Sequence, residues 1–230
     1  MTDARTGPTL AQQARTALAQ ARLGSLVSRK DAAAGSPTVV RVTDQPDGQP
    51  LVELEPESRL VRLLSWCPMV TVAVPGPSPY HALHLTGTAT RCEGPDPRRT
   101  AYRLTLLSTR LVSTASVTVP VRAFCEAAPD PLWRQAPAAL AHLGEAHAAE
   151  LLACVRAHDL PGALAVVPRA LDQYGLELAV ITHEGVRTVR LTFPGAPVSS
   201  FAEVGNGVRA MLTCRCQDCR QRTLGERRDR

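Results

Sequence analysis

The amino-acid sequence predicts an α+β protein in which an antiparallel β-barrel or sandwich is followed by a smaller α/β unit. Three observations predict it. From Ser25 onward, short β-rich runs are punctuated by Gly35, Pro46-Asp47-Gly48 and Pro75-Gly76-Pro77, the rhythm of an antiparallel sheet with tight connections. The segment Pro129-Asp130-Pro131-Leu132 carries two prolines, each of which disfavours helix at the residue before it, and so marks a boundary. Beyond that boundary apolar residues recur first at steps of three or four and then at steps of two, so a helix precedes a hairpin.

In chain order, residues 9 to 22 are rich in strong helix formers, with Thr9 placed to cap the start and Gly24 following the end. Leu26-Val27, Val39 to Val42, Leu51 to Leu54, Val70 to Val74 and His84 to Arg91 read as strands, the last with a central Gly87 where a barrel strand can bend or admit another backbone. Residues 97 to 108 read as a crossing helix, and a further strand lies near Ser116 to Val119. In the second unit Leu140, Leu143, His147, Leu151, Cys154 and His158 fall on one face of a single long helix. Leu176, Leu178 and Val180 then alternate inward, His183-Glu184-Gly185 turns the chain, and Val189, Leu191 and Phe193 return as the second arm of a hairpin. Ala202 to Leu212 suits a last helix.

Length and composition bound the function. The 230 residues accommodate two compact lobes, and 44% hydrophobic with 20% charged residues is ordinary for a globular protein. Only 3% are aromatic, too few for a stacking platform that would bind single-stranded nucleic acid. The net charge of +5 is concentrated at the end, where seven Arg face three acids from Arg209 onward, so no nucleic-acid partner is expected for the body. Met1 to Thr6 holds no apolar stretch and no window is long and apolar enough for a membrane span, so the expectation is a cytoplasmic protein with no membrane partner. Cys67, Cys92, Cys125 and Cys154 stand singly among apolar residues, as reduced core cysteines do.

Three stretches of the second unit carry a resemblance. Ala141-His142-Leu143-Gly144-Glu145-Ala146-His147 resembles a His-Met-Asn-x-Asp-His signature, Leu171-Asp172-Gln173-Tyr174-Gly175 resembles an Asp-x-Tyr-Gly turn, and Val189 to Pro194 resembles the strand that closes it. These are motifs of the accessory domain of HugZ-type haem-utilisation proteins. Gly144 and Ala146 replace the signature's Asn and Asp, which leaves its two histidines. The first half resembles the pyridoxamine-phosphate-oxidase-like split barrel through the opening helix, the Gly87 strand and Arg62. The resemblance implies an FMN-binding-type split β-barrel over residues 1–128, a small α/β accessory domain over 129–213, a basic cysteine-containing tail over 214–230, and a homodimer formed through the barrel. Where flavin-binding relatives read roughly His-Thr-Arg-Asn-Leu, this chain has Leu60, Val61, Arg62, Leu63 and Leu64. A flavin phosphate needs several converging donors, so one arginine argues against FMN, and Arg62 with Arg59 also reads as the solvated face of a surface helix.

The resemblance implies haem or a related tetrapyrrole as ligand. Haem leaves almost no local motif, because it needs only one axial donor, an apolar slot and cations for the propionates. His147 is the first candidate for that donor, with His142, His84 and His81 in reserve. A packed histidine is the plainer reading of His147, given its place on the apolar stripe. His142 and His147 lie roughly 140° apart around an ideal helix and should not chelate one metal together. His158 lies about 16 Å beyond His147 at the helical rise and reads as structural.

No nucleophile-base pair and no phosphate-binding glycine loop is legible. Cys214, Cys216 and Cys219 form a Cys-x-Cys-x-x-Cys run beside Arg220 and Arg222, a donor set for zinc or another soft metal as well as a plain basic tail with incidental thiols. The leading expectation is a haem-binding protein of iron or tetrapyrrole handling, with haem degradation as an extension. The alternatives are a non-enzymatic regulatory module with a protein partner, as in the split-barrel relatives that bind glutamyl-tRNA reductase, and a flavin-dependent oxidoreductase.

Overall fold

The computed structural model describes residues 7–28, 37–77, 79–158, 160–193, 195–200 and 202–209. The chain divides into two compact units, residues 9–130, and the residues from Pro131 onward together with Gly7 and Pro8.

The first unit opens with helix α1 (Leu10–Gln20), whose Thr9 cap accepts the Gln12 N–H at 3.1 Å and whose Ala14, Ala17 and Leu18 are buried. Strands β1 (Leu23–Ser28), β2 (Thr38–Thr43) and β3 (Leu51–Leu54) follow, then the short helix α2 (Arg59–Leu64). Strands β4 (Met69–Pro75), β5 (Ala82–Cys92), β6 (Thr100–Val112) and β7 (Ser116–Val119) lead to helix α3 (Val121–Glu126). The sheet runs β3-β2-β1-β4-β5-β6-β7, all antiparallel, and β3 also pairs with β6. Six strands therefore close a barrel, while β6 is long enough to pair with β3 through Thr100–Arg103 and with β7 through Thr109–Val112. Inward residues such as Leu26, Val52, Val72, Leu83, Leu85 and Leu104 fill it and are almost wholly buried.

Gly87 marks a close approach of β5 to β6. A Cβ there would stand 2.3 Å from the Thr105 carbonyl oxygen, and the β5–β6 register slips between Thr86 and Gly87. Only glycine lets the two backbones meet at this bulge.

The second unit packs helices α4 (Ala136–Ala146) and α5 (Ala148–His158) with a three-stranded antiparallel sheet ordered β10-β9-β8. Its strands are β8 (Ala165–Asp172), β9 (Gly175–Thr182) and β10 (Gly185–Thr192), and residues 202–209 add a last helix. Leu143, Leu151, Leu176, Leu178, Leu191 and Phe193 share one core, which Val204 and Val208 of that last helix also enter. Thr182 pairs with Gly185, leaving His183-Glu184 as a two-residue hairpin turn at the predicted place.

The FMN-binding-type split β-barrel with a small α/β unit is thus the observed fold. Three elements differ from the sequence reading. Residues 100–112 are strand, not crossing helix: burial alternates along β6 until the bulge opposite Gly87, where Leu107 becomes an extra, exposed residue. That insertion sets Leu104, Leu107 and Leu111 at steps of three and four, which imitates a helical stripe. Strand β8 escaped notice because Pro168 interrupts it, and the sheet tolerates this proline since β8 is an edge strand with a bulge there. The long helix is two helices, broken at His147. Cys154 is buried as expected, whereas Cys67 and Cys125 are half-buried and Cys92 is exposed. Burial pushes the Cys125 thiol above its ordinary value, with Arg15 opposing. Among the described residues no helix is long and apolar enough to cross a membrane.

Candidate functional site

The break between α4 and α5 decides where the two signature histidines go. His147 leaves helical geometry (φ −126°, ψ 16°), its N–H still donating to the Leu143 carbonyl while its own carbonyl accepts from Leu151, so it closes one helix and opens the next. On a continuous helix His142 and His147 would point apart. With the break, their rings stand edge to face with centroids 5.2 Å apart. The expectation of two separated histidines is corrected by this local change of direction. His147 is also not a packed core residue, since its side chain is 41% exposed, and its Nδ1 lies 3.8 Å from Glu150 Oε1. Glu150 sits in the first turn of α5, where a carboxylate is favoured by the helix dipole. His142 is exposed on α4. Both imidazoles are therefore open to a ligand from solvent.

The other candidates lie in the barrel unit. His84 points outward from β5, half-buried, in a row with Ala73 on β4 and Arg110 on β6. His81 occupies the bend before β5 and is exposed, its backbone N–H donating to the Val112 carbonyl. Arg62 is exposed on α2, while Leu60 and Leu64 of the same helix are buried in the barrel core. The Ser58 hydroxyl accepts the Val61 N–H at 3.3 Å and so caps α2. This helix turns Leu60 and Leu64 inward and presents both Arg59 and Arg62 to solvent. Cys214, Cys216 and Cys219 lie outside the described residues, and among the described residues no group of three or more His, Cys, Asp or Glu could hold a metal.

The Asp-x-Tyr-Gly stretch has a structural task. Asp172 Oδ1 accepts the Tyr174 N–H at 2.8 Å and the Gly175 N–H at 3.2 Å, which fixes the β8–β9 turn. Both Asp172 oxygens also accept from Arg190 Nη2 of β10, at 2.6 and 2.7 Å, so one carboxylate ties all three strands. A Cβ on Gly175 would lie 2.1 Å from the Leu191 carbonyl oxygen, which explains the glycine.

Two features were missed in the sequence. Glu150 stands three residues after His147, a spacing that signals a shared helical face. Trp66, just after α2, is 86% exposed, and nothing in its flanking residues distinguishes a surface tryptophan from a core one.

The chain matches no family model and no curated protein sequence. Among solved structures, a haem-binding protein from Mycobacterium smegmatis is 25% identical and superposes with a TM-score of 0.65 over 94% of this chain and 99% of its own. A protein of unknown function from Agrobacterium tumefaciens is 19% identical, with a TM-score of 0.40 over 91% of this chain and 100% of its own. General stress protein 26 from Bacillus anthracis is 13% identical, with a TM-score of 0.40 over 48% of this chain and 98% of its own. The first of these matches spans both units; the two at 0.40 add nothing to the description of the fold.

Proposed function

We propose that the chain binds haem or a related tetrapyrrole and works in iron or tetrapyrrole handling in the cytoplasm, in the manner of the HugZ-type haem-utilisation proteins. The observation that supports this reading is the likeness to the mycobacterial haem-binding protein, which runs through both units. The donor chemistry fits. Haem iron takes an imidazole as axial ligand, and His147 offers one that is open to solvent yet held at a helix junction by backbone hydrogen bonds on both sides. His147 is the proposed ligand, with His142 next and His84 and His81 in reserve. When bound, the iron would supply ligand-binding and redox chemistry, and His147 would hold it through its imidazole.

Titration of haemin into the protein and into His147→Ala, His142→Ala, His84→Ala and His81→Ala tests the reading. A saturable Soret shift in the wild type, lost or displaced in His147→Ala, is the expected result. Absence of a saturable shift in the wild type would leave the binding-module alternative in its place.

We further infer that the protein is a homodimer paired through the barrel. The outward face of β1, β4 and β5 carries Ser25, Val27, Thr71, Ala73, His84, Thr86 and Thr88, a half-buried stretch with no Asp, Glu, Lys or Arg among these residues, and the Thr71 and Thr86 hydroxyls are bonded to each other at 2.8 Å. Such a surface suits a two-fold partner.

A further inference from the structure

The approach of His142 to His147 has a chemical use apart from any porphyrin. A tetrahedral ion held about 2.1 Å from one nitrogen of each of two imidazoles sets their ring centres about 5 Å apart. The observed separation is 5.2 Å. The continuous helix suggested by the sequence would have kept the rings apart, so this spacing exists because the backbone turns at His147. Both rings reach solvent, which gives an ion a way in. Glu150 Oε1 lies 3.8 Å from His147 Nδ1, beyond hydrogen-bond length but within a side-chain rotation of it, so the carboxylate is placed to take that N–H and leave Nε2 as the free donor.

We propose that His142 and His147 form a two-imidazole chelate for a borderline divalent cation of the zinc or copper class, with Glu150 as the positioning residue. Imidazole donors select such ions over calcium and magnesium, which take oxygen ligands. No third protein donor completes the set among the described residues, so the remaining coordination positions are open to water or to an exogenous ligand. This inference shares His147 with the haem reading, yet the two depend on different partners: the chelate requires His142, and an axial haem ligand does not.

The test uses the full chain with Cys214, Cys216 and Cys219 replaced by Ser, so that tail thiols do not compete. Cobalt(II) is titrated and followed by its visible d–d bands, and copper(II) is added in a parallel sample for nitrogen hyperfine coupling by electron paramagnetic resonance. One equivalent bound with two coupled imidazole nitrogens is expected. His142→Ala and His147→Ala should each weaken binding by at least tenfold, and Glu150→Gln by about tenfold through loss of the orienting carboxylate. An affinity unchanged in His142→Ala, or coupling to a single imidazole in the wild type, would overturn the chelate and reduce the ring pair to an edge-to-face packing contact. Haemin binding measured on the same His142→Ala protein separates the readings. A normal Soret shift with lost cobalt binding supports the chelate, whereas absence of any Soret shift in the parent protein defeats the haem reading alone.

Discussion

Replacing Arg15 by Met should loosen the barrel by about 3 kcal/mol, the low end of the loss seen when one partner of a buried ion pair is removed. Arg15 is 2% exposed, although it lies on the opening helix among alanines and leucines. Its Nη1 stands 3.1 Å from Asp44 Oδ1, its Nη2 donates to Asp44 Oδ2 at 3.2 Å and to the Gln45 carbonyl at 3.1 Å, and its guanidinium lies 5.4 Å from the Phe124 ring centre. One side chain thus joins α1, the turn after β2, and α3. The low end of the range is chosen because Asp44 keeps 15% exposure and would retain some water.

A pH signature separates this account from simple loss of packing. Burial pushes the Asp44 carboxyl above its ordinary value, while Arg15 pulls it down. Without Arg15 the folded-state value climbs further above the unfolded one. A raised carboxyl contributes stability that is present below the unfolded value and lost as pH rises through the folded value. The deficit of Arg15→Met should therefore be largest at neutral pH and shrink in mildly acidic buffer. Hydrogen exchange on peptides of β1 to β5, with peptides of β8 to β10 as an internal control, would measure it. Adding Asp44→Leu should restore part of the loss, because an apolar pair of similar volume leaves no buried charge. An unchanged barrel at neutral pH, or a deficit that grows on acidification, would refute the reasoning.

Other expectations follow from close contacts and open surfaces. Gly87→Ala should cost about 3 kcal/mol, since its Cβ would lie 2.3 Å from the Thr105 oxygen and the β5–β6 ladder must open; a melting temperature unchanged from the wild type would contradict this. Gly144→Ala should instead stabilise the second unit by about 0.5 kcal/mol, because its Cβ would meet only Pro168 Cδ at 3.7 Å and a glycine in the last turn of α4 is replaced by the best helix former. Calorimetry on both variants checks the contrast. Sedimentation at micromolar concentrations should show a dimer, converted to monomer by Thr71→Arg, which places an unpaired charge on the outward face of β4.

Much of the barrel was legible because each side chain reports its own face. Period-two runs at Val39–Val42 and Val70–Val74, with proline and glycine between runs, suffice to mark strands whose two faces meet different solvents. Legibility ended where one residue broke the period. Leu107 is such a residue, an insertion opposite Gly87 that turned alternating β6 into an apparent helix. Pro168 is another, since a proline in β8 is acceptable only at an edge, and edge position is a property of the assembled sheet. Arg15 was hidden for a related reason: helical periodicity places it, but the carboxylate that lets it be buried arrives from another part of the chain.

The histidines show the same limit at the site itself. Sequence spacing assigns His142 and His147 an angle only if the helix between them is straight, and nothing in Gly144-Glu145-Ala146 fixes that. Once His147 takes a non-helical conformation, the angle inferred from the ideal repeat no longer applies and the two rings meet. The consequence reaches past geometry. A histidine embedded in a continuous apolar stripe would have its donor nitrogens committed to packing, whereas one at a junction, 41% exposed and flanked by Glu150, keeps a nitrogen available. The break that defeated the angular argument is thus the feature on which both proposals for His147 rest, the iron porphyrin in one case and the bare dication shared with His142 in the other.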